Sequence, residues 1–488
     1  MSIPIWMRGT IVAAAAWLLV GCTTPIPQAL SSQTLPKAFV GPITTDAKMW
    51  PQPDWWNGFS DPELSNLIAQ AHSNNLDLAA AANRVMQAQA QAKVQRAALF
   101  PQVGAQLSHT NGGCSGQSCY DYFDEKNFGL AFDASYELDF WGLARDNLRA
   151  ATEALKSARF AQEVVVLTVT ANVADQYLNV AAARQRIAVS HDNIDAINKI
   201  LVVIQHRVNE GLISRLDLAQ EQAQVEAVEA QLPALETLEK QSLYSLALLL
   251  GKPPEGFDVK RQNLDSLSAP AIGPGLPSQL LLRRPDISEA EANLASAHAD
   301  VDAARAAFLP QFSLTGSGGF FSVALGTLLQ GPSFGYAYGA NIAQTIFDGG
   351  KLAGQKDLAV ATQNEYVANY QSAVLNAYSD VEAALVQVAN GNKTESHLRS
   401  EVDAAREAFR ISQLQYEEGT IDLLPVIQAQ QTLFSAQDQL AQTIQANRQS
   451  IVHLYEALGG GWTEDEVDRT QFYNDQVLQT SANNAVSH

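Results

Sequence analysis

The chain has 488 residues, of which 47% are hydrophobic, a proportion that is typical of folded proteins and excludes a disordered chain. Its 51 acidic residues outnumber its 31 lysines and arginines, so the formal net charge is −20. This charge argues against nucleic acid as a partner, because the phosphates would be repelled.

The first 21 residues are predicted to be a signal peptide. Arg8 supplies a positive charge, and residues 11–20 form an apolar run that is too short to span a bilayer. The run ends in LVGC at 19–22, which resembles the lipobox of bacterial lipoproteins. We therefore expect Cys22 to carry a covalent lipid, with no other cofactor. Because Thr23 is not aspartate, sorting rules indicate the outer membrane. An ordinary signal peptide with a chance cysteine is the alternative.

A first structural unit is predicted over residues 61–267, after a lipidated, proline-rich arm at 22–60. It opens with a helix, because Asp61 suits the N-cap and Pro62 the first helical position. Two strands follow at 102–110 and 128–140; in the second, apolar residues alternate strictly with small or charged ones. A long helical hairpin is predicted at 143–250, turning at Gly211.

Two cysteines, Cys114 and Cys119, stand in a glycine- and serine-rich loop between the two predicted strands. In an exported protein, two such neighbouring cysteines most often form a disulfide. A metal site is the alternative, but these cysteines with His109 do not complete a zinc ligand set.

A second unit is predicted over residues 283–460, after a linker at 268–282. It contains a helix, strands at 311–318 and 335–347, and a helical hairpin at 350–458 that turns at Gly419. A polar C-terminal tail occupies 461–488. Landmarks recur in order at a nearly constant offset and indicate an internal two-fold repeat. They are RAALFPQ at 96–102 and RAAFLPQ at 305–311, FWG at 140–142 and FDG at 347–349, and EGLI at 210–213 and EGTI at 418–421.

The four amphipathic strands suit a membrane, where a sheet must close because unpaired backbone groups are costly in hydrocarbon. The smallest membrane barrels have about eight strands, so four strands require several chains to share one barrel. A small soluble sheet packed on helices is the alternative.

The whole mature chain resembles the TolC superfamily of outer-membrane efflux channels, in particular its NodT-type lipoprotein branch. The resemblance includes WWNGFSDPEL at 55–64, NLDL at 75–78 and RRPDI at 283–287. It implies a homotrimer in which a twelve-strand outer-membrane barrel continues into a coiled-coil periplasmic tunnel. It also implies a periplasmic adaptor, a proton-driven inner-membrane pump, and passive conduction of exported small molecules. The sequence contains neither a phosphate loop nor a His-Glu-x-x-His motif, so nothing in it indicates an enzyme. A structural coiled-coil lipoprotein and a type I secretion exit duct are the alternatives.

The resemblance places a closable periplasmic aperture at the two hairpin turns. Charged residues there are the aperture candidates, and a ring of acids would favour cations. The candidates are Glu210, Arg215, Asp217, Glu418 and Asp422. Many relatives have an aspartate nine residues after each turn glycine, where this chain has Gln220 and Gln428. Helix capping by Ser214, Asp217 and Asp422 is the alternative role.

Overall fold

The computed structural model describes residues 39–40, 52–113, 124–265, 267–268, 270, 280–281 and 283–460. Most of these residues are helical, and the rest of the regular structure is a small sheet. The main elements, in chain order, are α1 (Pro62–Asn74), α2 (Leu76–Ala97), β1 (Gln102–Gly113), β2 (Asp124–Leu138), α3 (Leu143–Asn209), α4 (Arg215–Glu229), α5 (Leu232–Leu249), α6 (Pro285–Ala306), β3 (Gln311–Ser322), β4 (Phe334–Ala343), α7 (Lys351–Glu417) and α8 (Leu423–Ala457).

Two very long helices, α3 and α7, connect the sheet to the hairpin turns. Each has 67 residues and is therefore about 100 Å long at 1.5 Å per residue. Aspartates fix their starting points: Asp139 accepts from the backbone N–H of Ala144 and Arg145, and Asp348 accepts from three backbone N–H groups at residues 350–352. The sheet thus lies at one end of these helices and the turns at the other.

The return segment of the first hairpin is two helices, which corrects the prediction of a single helix to residue 250. Helix α4 ends at Glu229 and α5 begins at Leu232. The break follows from Pro233, whose ring conflicts with the carbonyl of residue 229 and which has no N–H to donate. Proline is tolerated in a first helical turn, and α5 places Pro233 there. In the second hairpin, α8 runs without a break for 35 residues.

The four strands form one antiparallel sheet in the order β1-β2-β3-β4. All four strands extend into the predicted loops: β1 passes 110, β2 begins before 128, β3 passes 318, and β4 begins one residue before 335. Backbone pairing from Gly113 to Asp124 and from Phe128 to Ser322 carries the ladder into the predicted loops. The predicted strand at 335–347 ends earlier, at Ala343, because its partner Gln311 follows Pro310, which has no N–H for a ladder.

The largest hydrophobic core lies along the middle of the long helices. It combines residues from α1, α2, α3, α5, α7, α8, the segment before α1 and the segment between α5 and α6. The Trp55 ring stacks on that of Tyr455 with 4.6 Å between centres. The Tyr177 hydroxyl donates to Asp61 Oδ2 over 2.7 Å, and Arg261 pairs with the same carboxylate at 2.8 Å. These contacts attach residues 55–61 to the helices of both halves.

Candidate functional site at the hairpin turns

The α3–α4 turn and the α7–α8 turn pack side by side through an apolar cluster, which we call the tip cluster. Its buried members are Ile200, Ile204, Tyr416, Leu423, Val426 and Ile427, and the partly buried Val208, Ile213, Leu218, Phe409 and Ile421 pack against them. Residues of both hairpins contribute, so the two turns form one structural unit at the end of the helices remote from the sheet.

Both turns have the same backbone geometry. Gly211 has φ +71° and Gly419 has φ +75°, in the left-handed region that a side chain disfavours. The N–H of Leu212 donates to the Arg207 carbonyl over 2.8 Å, and that of Thr420 donates to the Gln415 carbonyl over 2.9 Å. These six-to-one bonds are the Schellman motif, which satisfies the last carbonyls of a helix.

Helix α4 begins with a reciprocal capping box. Ser214 Oγ accepts from the Leu216 N–H over 3.0 Å, and Asp217 Oδ2 accepts from the Ser214 N–H over 3.1 Å. This arrangement satisfies backbone donors that the first turn of a helix leaves unpaired. Asp217 therefore has a local structural role at the turn.

Helix α8 begins differently, which corrects the prediction that Asp422 caps it. Asp422 occupies the N-cap position but its side chain makes no capping hydrogen bond. A capping side chain accepts from the second or third helical N–H; Pro425, the third residue, has none, and the Asp422 side chain does not accept from Leu424, the second. The exposed carboxylate of Asp422 is therefore not committed to the helix start.

The other charged candidates also face solvent. Glu210, Arg215 and Glu418 are exposed. In the part of the chain that the structure describes, neither these three nor Asp422 takes part in an ion pair within 4.0 Å. Within one chain, no two of the five aperture candidates share a hydrogen bond or ion pair among the described residues, and Asp217 is bonded to Ser214 instead.

Arg207 is a residue of this site that the sequence analysis missed. Its Nη1 donates to the Tyr416 carbonyl over 3.2 Å and its Nη2 to the Glu417 carbonyl over 3.1 Å. Its guanidinium lies 4.7 Å from the centre of the Tyr416 ring. A cation at the last carbonyls of α7 also complements the helix dipole. The available signal was a basic residue in the last turn of α3.

Glu221 was missed as well. It is fully buried on α4, next to the tip cluster, and burial raises the pKa of its carboxyl to about 7. The signal lay in the spacing: Leu218, Val225, Val228 and Leu232 are apolar at steps of three and four, and Glu221 occupies the step between the first two.

The sheet carries a second notable surface, a continuous apolar face. The register aligns alternate residues of all four strands on this face. They are Val103, Ala105, Leu107 and His109 of β1; Phe128, Leu130, Phe132, Ala134, Tyr136 and Leu138 of β2; Phe312, Leu314, Gly316, Gly318 and Phe320 of β3; and Phe334, Tyr336, Tyr338, Ala340 and Ile342 of β4. Several are widely exposed, such as Leu107 at 77% and Tyr338 at 86%. The opposite face consists of polar and small residues apart from Phe321.

Three candidate residues lie outside the described residues: Cys22, Cys114 and Cys119. Over the described ranges, no three His, Cys, Asp or Glu side chains gather as metal ligands. None of the helices described combines the length and the apolarity that a membrane crossing requires.

The sequence matches that of a known family over most of its length. The family of outer membrane efflux proteins (OEP) matches residues 67–252 and 276–460. The chain is 37% identical over 418 residues to the pyoverdine export outer membrane protein OpmQ of Pseudomonas aeruginosa, covering 84% of this chain and 88% of OpmQ. It is 29% identical over 455 residues to the cation efflux system protein CusC of Escherichia coli O6:H1, covering 92% and 98%.

The structure matches a solved channel of the same kind. The open state of the Neisseria gonorrhoeae MtrE outer membrane channel aligns with a TM-score of 0.81 and 27% identity, over 90% of this chain and 99% of that one. The turns and the sheet described above are therefore parts of an efflux channel and not of an enzyme. The chain belongs to the outer membrane efflux protein family.

Proposed function

We propose that three copies of this chain form the outer-membrane channel of a tripartite efflux system. The observation that carries the proposal is the sheet with one continuous apolar face and two free edges. A face exposing Leu107, Tyr338 and Ile342 suits hydrocarbon and would be unfavourable in water.

The two edges indicate how the chains assemble. Strands β1 and β4 are the outer strands of the sheet, each paired on one side only. In a membrane, their unpaired N–H and C=O groups would cost several kcal/mol each. Strand β1 runs away from the helices and β4 runs back towards them, so β4 of one chain would meet β1 of the next antiparallel, like the other pairs. Three four-stranded sheets would then close as a barrel of twelve strands.

The long helices supply the route through the periplasm. Helices α3 and α7 would extend the barrel by about 100 Å and end at the hairpin turns. There the exposed acids Glu210, Glu418 and Asp422 would repeat around the threefold axis as an aperture that favours cations. A periplasmic adaptor and an inner-membrane pump, proton-driven in the family that the sequence resembles, would deliver exported small molecules for passive conduction.

The proposal also covers the N-terminal segment and the cysteines. Signal cleavage before Cys22 would leave a lipid-anchored arm at the outer membrane, extending into the periplasm. Cys114 and Cys119 lie between the end of β1 and the start of β2 and would form a disulfide, because an exported protein is in an oxidising environment.

Light scattering of the detergent-extracted protein tests the assembly, after the detergent contribution is subtracted. We expect about three chains per particle, recovered from the outer-membrane fraction, with ion conductance in planar bilayers. A monomer that remains in solution without detergent after removal of the lipid would overturn the shared barrel. Two chains per particle would overturn the trimer.

A further inference from the structure

Glu221 stands in an apolar seam of the hairpin. Leu218 precedes it and packs on the tip cluster, while Val225 and Val228 follow and pack in a separate cluster with Ile194 and Ile197 of α3. The side chain of Glu221 is 0% exposed. A carboxyl group thus occupies a position between two apolar clusters where helix packing favours leucine or valine.

The carboxyl has no hydrogen-bond partner among the described residues. Both of its oxygens are buried and unpaired, and so is the hydroxyl of Tyr416 on α7, which interacts electrostatically with it. A buried carboxylate without a partner is costly, whereas the neutral acid is tolerated much better.

Among the described residues, no cation pairs with Glu221. Helix α3 contributes Arg207, whose guanidinium is engaged by the Tyr416 ring and by the end of α7. Helix α4 itself contributes Asp217, another acid, and α7 contributes Tyr416. Helix α8 faces the site with the apolar members of the tip cluster that follow Asp422, and Gln431 of α8 donates to Gln224 of α4 over 2.7 Å.

The sign of the pH effect follows from burial. Burial raises the pKa of Glu221 to about 7 from its ordinary value of 4.5, so the packed tip holds this proton more tightly than an opened tip does. Packing of the tip is therefore most stable at a pH below the ordinary glutamate pKa of 4.5, and it is weakened progressively as the pH rises through about 7. Above that pH the penalty of the buried charge is fully present.

We propose that Glu221 is a proton-sensitive latch of the hairpin tip, which packs the two turns when the carboxyl is neutral and loosens α4 when the carboxyl ionises. The inference rests on the proposed function only in assigning this end of the helices to the aperture. The proton passes to water, since no neighbouring base is positioned to accept it in the described structure.

Hydrogen exchange of the whole detergent-solubilised protein tests the latch at pH 6 and pH 8, with rates corrected for intrinsic exchange. For a shift from 4.5 to about 7, the opening equilibrium of α4 should rise about tenfold between these two pH values. In Glu221→Gln the increase should disappear. Glu226→Gln removes an exposed acid from the same helix and should behave like the wild type.

Glu221→Leu provides a second variant, because it restores the apolar seam and should keep α4 protected at both pH values. Equal protection of the wild type at pH 6 and pH 8, or a pH effect that Glu221→Gln retains, would overturn the latch. Leak conductance separates the latch from the aperture: if exchange depends on pH through Glu221 but conductance does not, the latch stands and the aperture assignment fails.

Discussion

The guanidinium of Arg207 lies 4.7 Å from the centre of the Tyr416 ring and donates to the carbonyl oxygens of Tyr416 and Glu417. One side chain at the end of α3 thereby caps the C-terminal end of α7. The two residues are 209 positions apart in the sequence, so the contact holds the two hairpin turns to each other. Any opening of the tip that separates α3 from α7 has to break it.

Replacing Arg207 with alanine should weaken the closed tip. The variant loses two hydrogen bonds from a charged donor and the ring contact, so we expect a destabilisation of about 1.5–3 kcal/mol and a higher leak conductance. Arg207→Lys keeps the charge but loses the planar fork, and should fall between wild type and alanine. Thermal unfolding and planar-bilayer recordings measure both effects.

Arg410→Ala is the matched control. Arg410 is exposed and pairs with Glu407 on its own helix, so its removal should hardly change the free energy of unfolding. If Arg207→Ala resembles Arg410→Ala in both measurements, the contact does not hold the turns together.

Asp217 and Asp422 should respond differently to alanine. Asp217→Ala removes the acceptor of the Ser214 N–H and should cost about 1 kcal/mol of stability. Asp422→Ala removes no capping bond, so stability should hardly change, while loss of an exposed acid from the aperture should lower the conductance of cations. Unchanged conductance together with unchanged antibiotic sensitivity in Asp422→Ala would exclude a role for this charge in the gate.

The sequence predicted which segments are helices and which are strands, because the spacing of apolar residues in a long segment shows which side chains are buried. It could not place the break at Pro233, since proline within a first turn and proline inside a helix look alike in sequence. It missed Arg207 because the bond joins turns 209 positions apart, and periodicity does not tell which helix faces which. Glu221 was visible as an interruption of an apolar seam, but only packing shows that no partner compensates it.

A lysine on the apolar face of the sheet should impair assembly, whereas one on the polar face should not. Leu107 and Gln106 are adjacent and point to opposite faces of β1. A lysine facing hydrocarbon costs about 2–4 kcal/mol near the bilayer centre, so Leu107→Lys should lower the yield of assembled outer-membrane protein. Gln106→Lys should assemble like wild type. Equal yields of the two variants in the outer-membrane fraction would contradict a lipid-facing role for this face.

His453 should make stability depend on pH at the middle of the helices. Its Nε2 lies 3.0 Å from Asp175 Oδ2, and this hydrogen bond raises the pKa of the imidazole above 6.5. Its contribution is therefore complete below pH 6.5 and is lost as the pH rises through the raised pKa. Asp175→Asn should weaken this dependence in thermal unfolding, because only the smaller effect of Glu456 then raises the pKa of His453. Glu221 shifts stability with pH in the same direction, so both proteins should carry Glu221→Gln. A pH dependence that Asp175→Asn leaves undiminished would contradict the His453–Asp175 pair.

Two glycines of α7 should respond oppositely to alanine. A Cβ at Gly391 would lie 2.8 Å from Asn447 Oδ1, closer than van der Waals contact allows. Asn447 cannot easily swing aside, because it is buried and its Nδ2 donates to Asn392 and Glu395 over 2.8 and 3.0 Å. Gly354 has nothing within 4 Å of that position, so Gly354→Ala should gain up to about 1 kcal/mol from helix propensity. Gly391→Ala should have the same gain in helix propensity, but the overpacking against Asn447 should cost about 1–3 kcal/mol of stability. Chemical unfolding of both variants measures the difference; equal stabilisation would mean that α7 and α8 do not approach as closely as Asn447 indicates.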